Sequence, residues 1–132
     1  MNVLKSQRWA ITWALFILVL CNLPLPQHEG EGGFFFKGFD KLAHTGLFFV
    51  LTVLLFYGKV REQRNDHFRI QTLIKIIAVS ALLGGTIEFL QWWIFTFRSA
   101  EWWDFTCDLT GTFMGIFAYL AFYIANHHEQ KI

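Results

Sequence analysis

Long apolar runs separated by short polar segments dominate this chain. Four of these runs predict helices, over residues 9–23, 40–57, 70–95 and 104–124. The first run ends at Pro24 and Pro26, which cannot continue a helix. A hydrocarbon core of about 30 Å needs roughly 17–25 helical residues, and the runs approach or reach that length. The pattern therefore predicts one all-α domain over residues 1–132, an integral membrane bundle of four transmembrane helices.

The first run also fits the start of a secretory signal peptide, because it follows Lys5 and Arg8. However, no small-residue cleavage site comes after it. Cys21 could belong to a lipoprotein processing site, but such sites need a small residue directly before the cysteine, and Leu20 stands there. We therefore interpret the run as a retained anchor.

Composition agrees with a membrane location. Hydrophobic residues make up 55% of the chain and charged residues only 16%, against about 25% charged residues in a typical soluble domain. The formal net charge of +1 and the lack of a basic stripe with interleaved aromatics give no reason to expect nucleic-acid binding. Cys21 and Cys107 are interpreted as small apolar fillers inside helices. A disulfide in an oxidising compartment is the alternative.

The positive charges predict an orientation, because cytoplasmic loops of membrane proteins are enriched in Lys and Arg. With four spans, eight of the eleven Lys and Arg fall on one side: Lys5, Arg8, Lys59, Arg61, Arg64, Arg69, Lys75 and Lys131. Both termini are therefore expected to be cytoplasmic. The loop 24–39 and the turn around Arg98 then face outward. Four tryptophans bracket that turn, as an interfacial aromatic belt would: Trp92, Trp93, Trp102 and Trp103.

Ionisable residues collect near the predicted outer ends of three helices. Residues four apart share a helix face, which groups Asp40 with His44 on one helix and Asp104 with Asp108 on another. At 1.5 Å per residue, His44 and Asp108 each lie about 6 Å below their helix starts. The third helix presents Glu88 at a similar level, about 13 Å below the outer turn. Three helices are thus predicted to turn polar faces toward one another in the outer leaflet.

Two further patterns extend these faces. Gly111 and Gly115 continue the Asp108 face inward, and such a stripe of small residues predicts close contact with a neighbouring helix. On the third helix, Gly84, Glu88 and Gln91 share one face. Glu88 is a carboxylate inside an apolar run, so it needs a proton, a cationic partner or water. Arg98 and His44 are the partners that the sequence suggests for it.

Each polar residue also has a purely structural interpretation. Asp40 and Asp104 could cap helices and favour the helix dipole. Lys41 could extend along the helix to the headgroups, and Arg98 could bind lipid phosphate or pair with Glu101. His44 and Gln91 could be polar packing residues between helices. These interpretations explain the residues singly, but they do not explain why all of them lie at one level.

The ordered pattern resembles the VanZ-like family over about residues 38–120. It consists of Asp40-Lys41-x-x-His44, Glu88-x-x-Gln91, Arg98 followed by Asp104, and then Gly111. That family comprises small bacterial membrane proteins, and its namesake is associated with resistance to the lipoglycopeptide teicoplanin. The resemblance implies a bacterial inner-membrane protein with a role at the cell envelope. This chain departs from the family at Asp108, where family members usually have Asn, so the cluster gains a negative charge.

Two classes of function fit these observations. In the first, the chain is an extracytoplasmic enzyme or binding protein for an envelope lipid or lipid-linked precursor. The candidate catalytic residues are Glu88, His44 and Asp104. The candidate binding residues are Asp40, Lys41, Gln91, Arg98 and Asp108. Glu88 and His44 would serve as general acid and base, and Lys41 and Arg98 would hold a phosphate. No activated Ser or Cys is evident, which argues against covalent catalysis.

In the second class the protein is not catalytic. It is a membrane scaffold or the partner subunit of another membrane protein, and the polar cluster only ties its helices together. A divalent metal held by His44, Glu88, Asp104 and Asp108 is a weaker variant of the first class, because no spacing is diagnostic of it. A channel is a weaker alternative again, since four helices are few for a pore unless the chain forms an oligomer. The sequence specifies no cofactor.

Overall fold

The computed structural model describes residues 2–22, 39–63, 69–94 and 102–129, and these are almost entirely helical. Five helices follow in chain order: α1 Val3–Ser6, α2 Arg8–Asn22, α3 Phe39–Gln63, α4 Ile70–Trp93 and α5 Trp102–Glu129. The helices occupy the four predicted runs, and the all-α expectation is confirmed for the described residues. Residues 23–38, which include all of the predicted outer loop except Phe39, and the turn around Arg98 lie outside them.

Two helices are longer than the apolar pattern predicts. The helix α3 continues past Tyr57 and Gly58 to Gln63, where Lys59 and Glu62 form an ion pair at 3.1 Å on one helix face. The helix α5 begins at Trp102 and ends at Glu129. Polar residues can extend a helix beyond its apolar segment because the backbone hydrogen bonds do not depend on burial. Apolar periodicity therefore marks the part of a helix in contact with apolar surroundings rather than the whole helix.

The pattern of burial differs from that of a soluble domain, because several polar side chains are buried and many large apolar side chains are exposed. The buried residues include Ser80, Gln91 and Asp108, each at 1–2% exposure, whereas Leu82 and Phe117 are more than 70% exposed. Three helical segments are long and apolar enough to cross a membrane: Lys41–Glu62, Ile70–Trp93 and Trp102–Glu129. The helix α2 is apolar but shorter. Large apolar surfaces exposed along such helices are stable in lipid but not in water, so the chain is a multi-pass membrane protein.

The helices α3 and α5 pack side by side along a surface that we call the α3–α5 seam. They run parallel, because early residues of α3 meet early residues of α5 and late residues meet late ones. A Cβ added to Gly111 would collide with the Thr45 carbonyl oxygen, and one added to Gly115 would lie 2.7 Å from Thr52 Cβ. The two glycines thus allow the backbones to approach closely. The predicted contact of this small-residue stripe with a neighbouring helix is confirmed.

The other helices complete a bundle around this seam. The helix α4 packs on α5, and a Cβ added to Gly84 would lie 3.0 Å from Asp108 Oδ2. The helix α2 is tied to α3 by the Trp13 indole, which donates to the Leu47 carbonyl at 3.0 Å. One apolar cluster joins these helices with buried members on α2, α3 and α4: Ile17, Cys21, Phe48, Leu51 and Ile87. A second lies between the later part of the seam and α4: Phe56, Ile76 and Ile116.

Candidate functional site at one end of the seam

A buried bond between His44 and Asp108 forms the centre of the site. His44 Nδ1 lies 2.7 Å from Asp108 Oδ1, and the two side chains are 2% and 1% exposed. Because α3 and α5 run parallel and touch closely, residues near the start of each helix face each other across the seam. The close approach at Gly111, less than one turn beyond Asp108, brings the carboxylate within reach of the imidazole. An ionisable pair is therefore fixed inside a membrane-spanning part of the bundle.

A second charged pair lies one turn closer to the helix starts. Lys41 Nζ is 3.9 Å from Asp104 Oδ1, with side-chain exposures of 41% and 5%. Asp104 belongs to the first turn of α5, where a carboxylate interacts favourably with the helix dipole. It lies inside the helix rather than at the capping position before it. Lys41 has an exposed side chain within the reach of this buried carboxylate, so the pair forms the more accessible layer of the site.

The helix α4 contributes the third side of the site. Gly84 lies against Asp108 and Phe105, so this face of α4 is turned toward α5. Glu88 comes one turn later on the same face, at the level of Asp104, and its side chain is half-buried. Gln91 is 2% exposed, and its Nε2 donates to the Cys21 carbonyl at 2.8 Å. The structure thus places Glu88 and Gln91 on the inward face that the sequence predicts.

The structure adds one residue that the sequence analysis set aside. Cys21 is 4% exposed, and it lies near enough to His44 to interact with it electrostatically. Both cysteines are free. Cys21 fills space in an apolar cluster, as predicted, next to the helix that carries His44. The available signal was its position near the end of α2, at the level of the polar residues. The rotation of α2 that brings Cys21 near His44 is not visible in the sequence.

Two residues from the sequence-based set cannot be placed in the site. Asp40 is the second residue of α3, but its side chain lies outside what the structure describes, and so does all of Arg98. The ion pairs predicted for Arg98 therefore remain predictions. Within the described ranges no group of three His, Cys, Asp or Glu side chains is arranged to hold a metal ion.

The tryptophans are placed as an interfacial belt would be. Trp92 and Trp93 end α4, and Trp102 and Trp103 begin α5, all of them 65–85% exposed. Their level is that of the Lys41–Asp104 layer or slightly beyond it. The candidate site therefore lies close to the membrane–water boundary expected at an aromatic belt.

Comparison with known proteins finds no matching family model, no matching curated protein and no matching solved structure.

Proposed function

We propose that this chain is a VanZ-like protein of the bacterial inner membrane that binds or acts on an envelope lipid or a lipid-linked precursor. The site faces outward, where the headgroup of such a lipid lies. Through that lipid the protein would alter susceptibility to glycopeptide antibiotics. The family membership rests on the motif residues quoted above, and the choice of a lipid rests on the position of the polar layer beside exposed tryptophans.

The observation that carries this proposal is the His44–Asp108 bond. Burying ionisable groups in a membrane bundle costs free energy unless they are paired, and even a good pair often stabilises no more than apolar side chains of similar volume. Packing of α3 against α5 does not require this pair, because the glycine contacts and the aromatic residues hold the two helices together elsewhere along the seam. Ionisable residues inside membrane segments serve transport, proton transfer or ligand binding more often than they serve helix packing. A functional site is therefore the better explanation of the pair.

Each residue then has a defined role. Glu88 and His44 act as general acid and base, and Asp108 orients the imidazole through Nδ1. Lys41, together with Arg98, binds a headgroup phosphate, since ammonium and guanidinium groups are common phosphate ligands in proteins. Asp104 holds the Lys41 ammonium at the entrance. Asp40 and Gln91 complete the polar lining.

The proposed topology has four spans and cytoplasmic termini. The shortest crossing is formed by the 4 residues of α1, Gln7 and the 15 residues of α2. Backbone hydrogen bonds run through Gln7 in both directions, to Val3 and from Ile11, so this stretch is nearly one helix. Its length falls within the roughly 17–25 residues needed.

Reporter fusions test this topology. Alkaline phosphatase is active only outside the cytoplasm, and green fluorescent protein exported in unfolded form fluoresces only inside. Each reporter is fused in turn to the N-terminus and to the C-terminus. Four spans place both termini in the cytoplasm, so both fluorescent fusions should be bright and both phosphatase fusions should be inactive. With three spans the two ends would lie on opposite sides, and this result would refute the proposed arrangement.

Susceptibility of a sensitive host to a lipoglycopeptide tests the function. Cells expressing the wild type should be protected, and cells expressing Glu88→Gln or His44→Ala at equal membrane abundance should not. Glu62→Gln is the matched control, because it makes the same chemical change at the far end of α3, in a partly exposed pair with Lys59. Loss of protection in this control as well would mean that the assay reports general damage. Full protection by both site variants would rule out the proposed site.

A non-catalytic scaffold is the second candidate. It is favoured by the way the same polar groups tie helices together: Gln91 on α4 bonds the Cys21 carbonyl on α2, and His44 bonds Asp108. In that case site variants should lose thermal stability in detergent first and lose protection only in proportion. A variant with the wild-type melting temperature and no protection would exclude the scaffold.

A further inference from the structure

A groove opens on the outer surface of the bundle, along one side of the α3–α5 seam. Its volume is about 570 Å³, which is within the roughly 300–1,000 Å³ of typical small-molecule sites. One residue of α3 and five residues of α5 line it: Phe49, Thr110, Phe113, Met114, Phe117 and Ala118. The five residues of α5 are all exposed. Because the chain is a multi-pass membrane protein, the groove is open to the lipid hydrocarbon.

The chemistry of the lining selects an apolar occupant. Among the described residues that line the groove, Thr110 is the only polar one. Its hydroxyl donates to the Thr106 carbonyl at 2.8 Å, within the same helix. The other walls are aromatic rings, an alanine and Met114, whose flexible thioether adapts to irregular apolar partners. The part of a ligand that lies in the groove is therefore a hydrocarbon chain.

The groove begins deeper in the membrane than the Lys41–Asp104 layer, on the same two helices. Thr110 follows Asp104 by six residues on α5, which corresponds to about 9 Å at 1.5 Å per residue. Phe49 follows Lys41 by eight residues and lies on the same side of α3. The Lys41 side chain is 41% exposed. A lipid with an anionic group at the Lys41 ammonium can therefore extend its chain into the groove.

The groove also continues past the middle of the membrane. Exposed tryptophans at the start of α5 place Asp104 near one boundary of the hydrocarbon core. Ala118 lies fourteen residues beyond Asp104, about 21 Å along the helix, whereas half of the core is about 15 Å. An ordinary phospholipid chain occupies one leaflet and ends near the depth of Met114. A chain that starts at Lys41 and fills the groove must be longer than that.

A helix from a second copy of the chain fits this groove less well than a flexible chain does. Helices in membranes approach each other through small residues and through hydrogen bonds between side chains. Here the walls include large rings, of which Phe117 is 74% exposed, and the Thr110 hydroxyl donates within its own helix. A helix about 10 Å across is too wide to enter between such rings, whereas a hydrocarbon chain follows them.

We propose that the groove binds the isoprenoid chain of a polyprenyl phosphate whose phosphate lies at the Lys41 ammonium. The phosphate supplies the negative charge that Lys41 complements, and the chain is apolar throughout and longer than one leaflet. This inference rests on the proposed function, because it names the class of lipid that the candidate site receives. It assigns the five groove residues of α5 to recognition of the chain and Lys41 to recognition of the phosphate.

Native mass spectrometry of the full-length protein in detergent tests the proposal with two probes. Undecaprenyl phosphate has a chain long enough to fill the groove, and geranyl phosphate carries the same phosphate on a chain that ends before Ala118. Ala118→Phe puts a ring in the deep part of the groove. It should lower the affinity for undecaprenyl phosphate about tenfold, as the loss of a packed anchor does, and leave the affinity for geranyl phosphate unchanged. Lys41→Met should weaken both.

Ala78→Phe is the matched control, because it makes the same change at an exposed position of α4 that does not line the groove. It should bind both probes like the wild type. Equal affinities of Ala118→Phe and Ala78→Phe for undecaprenyl phosphate overturn the proposal. An equal loss of phosphatidylglycerol binding in Ala118→Phe also overturns it, since the groove would then accept phospholipid chains. So does a dimer that Ala118→Phe dissociates, since a second copy would then occupy the groove.

Photolabelling of the wild type gives an answer even if Ala118→Phe does not fold. A polyprenyl phosphate with a diazirine at the depth of Met114 should label residues 110–118 of α5, and excess undecaprenyl phosphate should suppress this labelling. Leu82 on α4 is 72% exposed and reports contact with bulk lipid. Labelling of the α4 segment around Leu82 to the same extent as residues 110–118 overturns the proposal.

Failure of this inference can be told apart from failure of the proposed function. If the wild type protects cells and Ala118→Phe binds undecaprenyl phosphate as the wild type does, the groove is not used, although the envelope function stands. If the wild type gives no protection, the envelope function fails, whereas the comparison of Ala118→Phe with Ala78→Phe still decides whether the groove binds a polyprenyl chain.

Discussion

At its N-terminal end the α3–α5 seam buries ionisable side chains, whereas at its C-terminal end the same two helices bury aromatic and apolar ones. The first end holds His44 against Asp108 at 2.7 Å. The second stacks Phe56 on Tyr119, with ring centroids 4.0 Å apart and planes 4° from parallel. Both ends share one parallel arrangement and lie on either side of the two glycine contacts.

The difference between the two ends distinguishes the side chains that helix packing requires from those that it does not require. The aromatic end shows that these helices pack without charges. The polar end contains groups that are costly to bury, at positions where apolar residues of similar size would serve packing equally well. We therefore assign the polar end to function and the aromatic end to stability.

The largest effect is expected where the two ends meet. Gly111→Leu should prevent assembly, because a side chain there collides with the Thr45 carbonyl on the facing backbone. The cost should exceed the roughly 1–3 kcal/mol of ordinary overpacking, since a backbone cannot move aside as a side chain can. Thermal unfolding in detergent measures it. Gly85→Leu is the control, since nothing lies within 4 Å of a Cβ at that position, and it should melt at or slightly above the wild-type temperature.

Removing one member of the buried pair should have the next largest effect. Asp108→Leu takes away the acceptor of His44 Nδ1, which should cost about 3 kcal/mol. Asp108→Asn keeps an acceptor oxygen in place and should cost less. Both should abolish protection in cells. Equal melting temperatures for Asp108→Leu and the wild type would show that the bond between His44 and Asp108 does not stabilise the protein.

At the aromatic end, Phe56→Ala should cost only about 1–2 kcal/mol. The stacking with Tyr119 is lost, but lipid tails are as apolar as the protein interior, so the penalty is smaller than in a soluble core. Protection should persist at matched abundance. Phe113→Ala, which removes a 54% exposed ring from α5, should leave stability nearly unchanged. Loss of protection in Phe56→Ala without loss of stability would contradict the division between the two ends.

The smallest effect on stability is expected at the entrance of the site. Lys41→Met removes a 3.9 Å ion pair whose lysine is 41% exposed, and such pairs contribute less than about 1 kcal/mol. Binding of phosphatidylglycerol, followed by native mass spectrometry, should nevertheless weaken. Lys59→Met at the other end of α3 serves as the control and should bind this lipid like the wild type. If the two variants bind equally, Lys41 does not contact the headgroup.

Much of this fold could be predicted from the order of apolar and polar residues. Four apolar runs became helices, and the spacing of Gly111 and Gly115 identified the closely packed face of α5. The C-terminal ends of α3 and α5 were missed because polar residues extend both helices beyond their apolar segments. Whether α2 crosses the membrane depends on the four residues of α1 and on Gln7, which lie before its apolar run.

The depth of the site along the helices could be predicted from the sequence, but the bonds between its residues could not. Helical spacing placed His44, Glu88 and Asp108 at similar depth, because rise per residue is nearly constant. Which residues touch depends on how each helix is rotated about its axis, and that is fixed by packing between helices far apart in sequence. The bond of His44 to Asp108 therefore required the structure.

The double variant His44→Leu with Asp108→Leu tests the central claim most directly. It removes the buried pair while keeping apolar volume in its place, a change that is often neutral or stabilising in proteins. We predict a melting temperature in detergent at or above that of the wild type, together with complete loss of protection against the lipoglycopeptide at equal membrane abundance. A fully stable double variant that still protects cells would contradict the assignment of the polar end to function, and so would one whose protection falls only in step with its stability.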